Sequence, residues 1–560
     1  MTTKQLLHQT ILKAVRAHWP ELAERTPDVT VEYPRDASHG AYATTVAMQL
    51  APVLRQSPMA IAETLAADLR TGPLAARFDR IEPVAPGFLN FHLKLNWLAR
   101  LPATVVKAGD AYGASDLGKN ERIHVEFISA NPTGPLHLGN GRGAFLGDTL
   151  ANVYAAAGYR PWREYYVNDA GKQVDTLAES VAGRYFQQQG IKKDYGEELY
   201  QGEYVNELAK RLNLEQYKIR NPAELKKRIG QRAANLMLRD IQRFAETSLG
   251  IRFDRWFRET ELYHQKIDTR VRTHLDRAGL SYEHEGALWM RTTQFGDDKD
   301  RVLVKGTGEQ TYFLSDVAYL YDKFVKRSFP RGVVILGADH HGYVGRLQAA
   351  ASALGRGGQY QVILYQLVRL LRDGQEVRMS KRSGTFVTLQ ELVEELGIDV
   401  TRFFFLLHSA GVHMDFDLTL AKDRSEKNPV YYVQYAHART VSILREIAKR
   451  ALPTTPGTAH AAEGEGAVLA ALLLRYPELI EDVARSAEVH RLPQYGIELA
   501  DQLHRFYTQQ RVIDGGHIHA WRAGLVAATK TVLANVLHLM GVSAPEQMDR
   551  SSSKPETRNP

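Results

Sequence analysis

"IHVEFISANPTGPLHLGNGRGA", residues 123–144, changes character twice within one short stretch. "IHVEFIS" alternates apolar and polar residues as a β-strand does. "ANPTGP" cannot continue that strand, because neither proline has an amide hydrogen for the ladder. "GNGRGAFLGDTLANVYAAAG" then has the small-residue periodicity of a helix ending at Gly158. A strand that runs through a tight loop into a helix is the crossover of a parallel α/β sheet. In such sheets ligands bind beyond the carboxyl ends of the strands, where helix N-termini point amide groups at anions. Gly139, Gly141 and Gly143 are expected to let a nucleotide approach the first turn with no Cβ in the way, and His137 to donate to a phosphate oxygen. The segment is not a Walker A loop, since GxxxxGK[ST] is absent from the chain.

Working outward, the strand texture recurs in "YRPWREYYV" (159–167), "RVLVKG" (301–306) and "GVVILGADHH" (332–341). Strands alternating with helices predict an α/β fold: a Rossmann-like, doubly wound parallel-sheet domain over residues 116–390. A charged helical insertion at about 175–280 is expected to interrupt rather than extend that sheet. Residues 1–115 read as an α+β N-terminal domain, with "APGFLNFHLK" (85–94) as a short strand. Beyond about residue 390 strands stop and long helical periodicity takes over, as in "PVYYVQYAHARTVSILREIAKRAL" (429–452), giving an all-α domain over 391–548. The polar tail 549–560 is expected to be disordered.

Composition bounds the function. A chain of 560 residues suggests three to four domains at roughly 150 residues each. The absence of cysteine excludes disulfides, thiolate catalysis and cysteine-ligated zinc or iron–sulfur centres. Against 64 acids stand 71 bases, a net charge of +7, which suits a polyanionic partner without making the protein polybasic. No apolar run approaches the roughly 20 residues a membrane helix needs, and no targeting segment is evident, so no membrane and a cytoplasmic location are expected.

A second stretch, "DGQEVRMSKRSGTFVTL" (373–389), places Arg378, Lys381 and Arg382 between Gly374 and Gly384. A cationic loop of this kind suits a reaction that expels pyrophosphate, because negative charge grows on the leaving group as the α-phosphate is attacked. Lys381, a compact charge on a flexible stem, can follow it.

"HLGN" (137–140) followed by "RMSKR" (378–382) resembles the HIGH and KMSKS signatures of class I aminoacyl-tRNA synthetases, in the right order and on the right elements. "REYYVNDAGKQ" (163–173), "QTYFLSDVAYLYDKF" (310–324), "GADHHGY" (337–343), "NPVYYVQYAHAR" (428–439) and "LHRFYTQQRV" (503–512) resemble the bacterial arginyl-tRNA synthetases, and the resemblance runs from about residue 30 to 548. It implies an arginine–tRNA ligase that uses ATP and Mg2+ to make arginyl-adenylate and then charges tRNA(Arg), with no metal site held by the protein itself. It implies catalytic roles for His137, Lys381 and Asn140. It assigns ATP contacts to Gly139, Gly337, Asp339, His340, His341, Arg378, Met379 and Ser380, and L-arginine contacts to Glu126, Ser129, Asn131, Tyr312 and Asp316. Asn140 stands where a second histidine is usual; it keeps a donor but cannot become cationic.

Arginine also fits the residues themselves. A guanidinium is a planar fork best read by carboxylates, and Glu126 and Asp316 are read as two acids at strand ends facing the site. Tyr312 can offer a ring face or a hydroxyl, and Ser129 and Asn131 can hold the ammonium or carboxylate end. Asp339, His340 and His341 are adjacent, so they cannot all point at one metal; nucleotide contacts are the reading. Asp169 and Gln173 either border the site or build a turn. Aromatics and bases interleave in the later helices, and bases of RNA loops stack on such rings while cations track phosphates. Tyr435, Arg439 and Arg511 are the RNA-contact candidates there, in a domain that resembles the family's helical anticodon-binding domain; residues 1–115 resemble its module that contacts the tRNA elbow, which adds Asn90 in "GFLNF", on a protein expected to be a monomer. Two alternatives stay open: a non-catalytic RNA-binding paralogue, supported by Asn140, and a cysteine-specific synthetase, opposed by the lack of cysteine for the zinc that family uses.

Overall fold

The computed structural model describes residues 1–22, 28–34, 36–169, 171–190, 196, 198–212, 222–377, 387–450, 452–455 and 463–548. The whole "RMSKR" segment, with Arg378, Met379, Ser380, Lys381 and Arg382, lies outside these, as does the tail 549–560.

The chain opens with the helix Thr3–His18, capped by the Thr2 hydroxyl, which accepts from the Gln5 amide. Leu7, Ile11, Ala14 and Val15 recur at helical spacing and are buried. Strands β1 (Val31–Glu32), β2 (Tyr42–Thr44), β3 (Phe78–Val84) and β4 (Phe88–Leu93) form an antiparallel sheet in the order β1-β2-β4-β3. Asn90, an expected RNA contact, sits inside β4 with 4% of its surface exposed. A side chain sunk into a sheet is not presented to a macromolecule, and this removes Asn90 from the RNA-contact set.

The crossover read from the opening stretch is present. β5 (Arg122–Glu126) leads into the helix Leu138–Ala156, then β6 (Arg160–Val167), then β7 (Arg255–Arg258). After a separate antiparallel sheet of β8 (Ser281–His284), β9 (Ala287–Met290) and β10 (Arg301–Val304), the chain returns as β11 (Arg331–Gly337) and β12 (Tyr360–Tyr365). The parallel sheet has the order β12-β11-β5-β6-β7. Strand order reverses between β5 and β11, the switch point at which doubly wound sheets open a crevice.

Three expectations need correction. "RVLVKG" is β10 of the antiparallel sheet, because its partner is the neighbouring hairpin strand β9. The sheet strand in its place is β7, inside the span expected as a helical insertion; a long helix ends at Thr247, "RWFR" pairs with β6 and extends the sheet, and helices resume at Thr260. Strands also persist past residue 390: Met414–Asp417 pairs in parallel with Val368–Arg372. A strand of four residues with only two apolar side chains, as in each of these, is too short to stand out in a charged segment. Beyond Pro429 the long helices Pro429–Arg450, Glu465–Ser486, Arg491–Gln509 and Ala520–Leu539 dominate, with only very short strands between. No helix of the described residues is long and apolar enough to cross a membrane.

Gly141 and Gly143, expected to leave room for a nucleotide, are instead closed in by packing. A Cβ on Gly143 would lie 2.8 Å from the Tyr365 ring, and one on Gly147 would lie 2.2 Å from Phe127. The helix therefore lies almost against the sheet. Gly141 likewise faces Leu389 and Phe405. Only Gly139 stands apart: its sole close neighbour is the His137 imidazole, at 3.0 Å.

Candidate active site

The carboxyl ends of β5 and β11 border a cavity of about 630 Å³. Just past β5 the chain takes left-handed backbone at two consecutive non-glycine residues, Ile128 (φ 65°) and Ser129 (φ 44°). A β-branched residue there is strained by roughly 1–3 kcal/mol, a cost that recurs at ligand sites. The kink is pinned at several points. Ser129 Oγ accepts from the Tyr166 amide at 3.1 Å and donates to Glu126 Oε1 at 3.3 Å. The Tyr165 hydroxyl donates to the Ala130 carbonyl at 2.8 Å, and Asn131 Nδ2 donates to Gln173 Oε1 at 2.6 Å.

The helix after the loop starts with His137 as N-cap, and its amide donates to Asn140 Oδ1 at 3.0 Å. Asn140, expected as a catalytic donor, thus uses its oxygen to hold the first turn, and the residue lines the cavity. On the opposite wall the helix Tyr312–Tyr321 begins at a Thr311 cap. Tyr312, Asp316, Tyr319 and Lys323 recur at intervals of three and four, so one helical face meets the cavity. Asp316 lies on this helix and not at a strand end. Tyr312 is 73% exposed at the mouth, an unusual position for a large ring with nothing over it.

At the inner end three carboxylates converge: Glu126, Glu259 and Asp316. Lys323, 1% exposed, pairs with Glu126 and lies 3.7 Å from the Tyr319 ring centre. Glu126, expected to read a guanidinium alongside Asp316, is therefore already committed to Lys323 and Ser129. Glu259 accepts from Tyr263 at 3.3 Å and from Tyr166, and withdrawal from water raises its pKa. Asp316 makes no hydrogen bond or ion pair with any described residue. Its carboxyl is pushed up to about 7, first by loss of water and then by Glu259 and Glu126, against the pull of Lys323 and Arg346. Three carboxylates against one ammonium leave this end in need of cations.

Asp316 gives a pH prediction. A cation binds its ionised form, so affinity is lost as pH falls through the free-protein pKa of about 7. For a cationic substrate, kcat/KM should rise roughly ninefold between about pH 6 and about pH 8, then level, because the ionised fraction goes from about a tenth to about nine tenths. Asp316→Asn should flatten that limb. A wild-type profile flat across this range would show Asp316 already ionised in the free protein.

At the outer end, Gly337 closes β11, and a Cβ there would lie 2.5 Å from Asp339 Oδ1. Asp339 and His340 line the cavity, whereas His341 is exposed and does not. Successive residues of the 3-10 turn Ala338–Tyr343 point about 120° apart, so only part of the motif can face inward. Gly139 is absent from the lining as well. Asp169 turns out to be a brace: it accepts from the Thr260 amide and hydroxyl and pairs with Arg258. Gln173 lines the cavity.

Sequence reasoning passed over Glu259, Lys323 and Tyr166. Glu259 follows directly on β7 and Glu126 ends β5, a signal hidden by the charged segment around Glu259. Lys323 completes the spacing that starts at Tyr312. In the helical domain, Tyr435 and Arg439 meet His504 and Tyr507: Arg439 bonds His504 Nδ1 at 3.2 Å and lies 4.6 Å over the Tyr507 ring. Arg511 is exposed beyond that helix.

Comparison with known proteins agrees with this architecture. Residues 102–402 match the family described as tRNA synthetases class I (R), catalytic domain. Residues 1–93 match the arginyl tRNA synthetase N terminal domain, and 433–548 the DALR anticodon binding domain. An arginine–tRNA ligase of Geobacillus kaustophilus is 42% identical, with 97% of this chain and 98% of that one covered. One of Syntrophotalea carbinolica is 43% identical over 97% of this chain and 100% of its own. The structure of Thermus thermophilus arginyl-tRNA synthetase superimposes with a TM-score of 0.75 over 98% of this chain and all of that one at 22% identity, which bears on the fold alone. A switch-point cavity rich in carboxylates, on a chain matched along its length in this way, makes this protein a member of the arginine–tRNA ligase family of class I aminoacyl-tRNA synthetases.

Proposed function

We propose that the protein activates L-arginine with ATP and transfers it to tRNA(Arg), working as a monomer in the cytoplasm. The observation that carries the choice of amino acid is the unpartnered carboxylate of Asp316 beside Glu259, at an inner end whose third acid, Glu126, is neutralised by Lys323. Arginine brings two cations. The guanidinium goes to Asp316 and Glu259 under the Tyr312 ring, and the α-ammonium to Glu126, Ser129 and Asn131 at the strained turn.

ATP lies across the outer end, with Gly337, Asp339 and His340 at its nucleoside and His137 and Asn140 at its phosphates. A carboxylate oxygen of arginine attacks the α-phosphorus, the bond to the β-phosphate breaks, and pyrophosphate leaves with the displaced charge. His137 donates to a phosphate oxygen, and Lys381, with Arg378, Met379 and Ser380, neutralises the charge on the leaving group. A terminal ribose hydroxyl of tRNA then attacks the arginyl carbonyl and AMP departs. Positioning and electrostatic stabilisation supply most of the rate. Among the described residues Asp339 is the only carboxylate at the outer, ATP end of the lining. That donor set fits Mg2+ bound chiefly through ATP phosphates and water, where the ion would neutralise phosphate charge. RNA bases stack against the Tyr435, His504 and Tyr507 surface, with Arg439 and Arg511 toward phosphates.

Pyrophosphate exchange into ATP tests the reading. Exchange is expected with arginine and not with lysine or cysteine, and only when tRNA is present. No exchange with any amino acid, alongside intact tRNA binding, would leave a non-catalytic RNA-binding paralogue as the better description.

A further inference from the structure

Two glutamates leave the same face of the parallel sheet side by side. Glu126 on β5 and Glu164 on β6 are register partners, on strands about 4.8 Å apart, and both are buried. Each has its own cation, and both cations come from one segment, the continuation of the helix Tyr312–Tyr321. Lys323 pairs with Glu126. Arg327, four residues on, sets its two Nη atoms on the two oxygens of Glu164. The Tyr319 hydroxyl donates to Glu164 Oε1 at 2.8 Å and Trp162 Nε1 to Oε2 at 3.0 Å, and His124 Nε2 lies 3.1 Å from Oε1. Between the two cations the helix widens: Asp322–Lys326 is a π-turn, closed by the Arg327 amide, which donates to the Asp322 carbonyl at 2.9 Å. Single wide turns of this kind gather at functional sites. This one is held by Arg327 itself, whose Nε lies 2.7 Å from Asp322 Oδ2. Tyr319 and Lys323 line the catalytic cavity, whereas Glu164 and Arg327 do not.

We infer that Arg327 is a positioning residue for amino-acid selection: by filling Glu164 it directs the Lys323 ammonium onto Glu126, and so decides which carboxylate stays open to the substrate. This rests on the reading of the cavity as an arginine site. A lone ammonium beside two adjacent carboxylates has two places to go. A guanidinium fork spans both oxygens of one carboxylate, and with Tyr319 and Trp162 also donating, Glu164 has little room for a further donor. Lys323 is left with Glu126, and once Glu126 is matched the substrate's guanidinium meets Asp316 and Glu259. Lysine at position 327 would keep the charge, but a single ammonium cannot span both oxygens and also tie Asp322. The groups that face Asp316 are Glu126, Tyr166 from β6, Glu259, Arg346 from the helix Val344–Ala353, Tyr360 from β12 and Lys323. Of the two cations among them, only Lys323 stands on the segment that Arg327 holds. Lys323 drawn onto Glu164 would leave the charge of Glu126 unmatched toward Asp316, which favours the protonated form of Asp316.

The test compares Arg327→Lys, Lys323→Met and the double variant in the full chain, by pyrophosphate exchange with tRNA present and by urea unfolding. For Arg327→Lys, KM for arginine is expected to rise about tenfold or more while KM for ATP stays within about twofold. The acid limb of kcat/KM, which reports Asp316, should move up by about half to one pH unit. A role in charge balance alone would leave both unchanged, since lysine keeps the charge, and that result overturns the proposal. In the Lys323→Met background, Arg327→Lys should add less than about twofold to KM for arginine, and the two shifts in urea midpoint should fall short of additive, because one residue acts through the other. Fully additive effects overturn the proposal. Equal loss of arginine use, ATP use and stability in Arg327→Lys makes Arg327 a folding residue and overturns it as well. Failure of the arginine reading shows elsewhere: a wild type with no arginine exchange removes that reading, and the urea coupling between positions 323 and 327 then decides whether Arg327 places Lys323.

Discussion

Asp316→Ala is expected to lower kcat/KM for arginine by roughly a thousandfold, about 4 kcal/mol, the usual cost of truncating one side of a buried, hydrogen-bonded charge pair. The loss should appear in arginine use, with Kd for tRNA within about twofold of wild type, because Asp316 opens into the cavity and braces nothing among the described residues. Stability should move the other way. A carboxyl whose folded pKa is raised to about 7 disfavours the folded state as pH rises from its unfolded value through that pKa, so Asp316→Asn should unfold at higher urea than wild type at about pH 8. Equal loss of arginine use, tRNA affinity and stability would recast Asp316 as a folding residue.

Lys323→Met should cost about 3–5 kcal/mol in the unfolding transition of the catalytic domain, since it leaves Glu126 buried and without its counter-ion beside two further carboxylates. Arginine use should fall with it, because the inner end of the cavity then either carries more negative charge than the substrate can match or takes up protons. Adding Glu126→Gln to Lys323→Met should recover most of the stability without recovering activity, the coupling expected of a pair that interacts directly. Urea unfolding followed by near-ultraviolet signal, with arginine kinetics on the same samples, separates the two effects. A single variant as stable as wild type would mean that the burial of Glu126 does not depend on Lys323.

The RNA-facing candidates divide along the same physical line. Tyr435 and Arg439 are drawn together with His504 and Tyr507 across two helices. Asn90 was chosen from a strand by resemblance, and the sheet buries it. A period of two says which residues share a face, and it does not say what covers that face.

Much of the site was legible in the chain by itself. The strand, proline loop and helix of residues 123–156 followed from local chemistry: alternation, missing amide hydrogens and a run of small residues. The cavity at their junction followed from the rule that parallel sheets bind ligands at strand ends, and Glu126, Ser129, Asn131, His137, Asn140, Tyr312, Asp316, Gly337, Asp339 and His340 all line it. What the chain could not reveal depends on contacts between segments far apart in sequence. Whether "RVLVKG" or "RWFR" joined the parallel sheet turned on which neighbour offered a free edge. Gly141 and Gly143 meet Leu389, Phe405 and Tyr365, some 220 to 260 residues away. Alternation in "IHVEF" marks a strand and does not say what covers its faces; both are covered, leaving His124 0% and Glu126 6% exposed. Burial then required partners for those polar groups. The pairing of Glu126 with Lys323 left Asp316 as the open charge, a division of labour among carboxylates that only the three-dimensional arrangement could make.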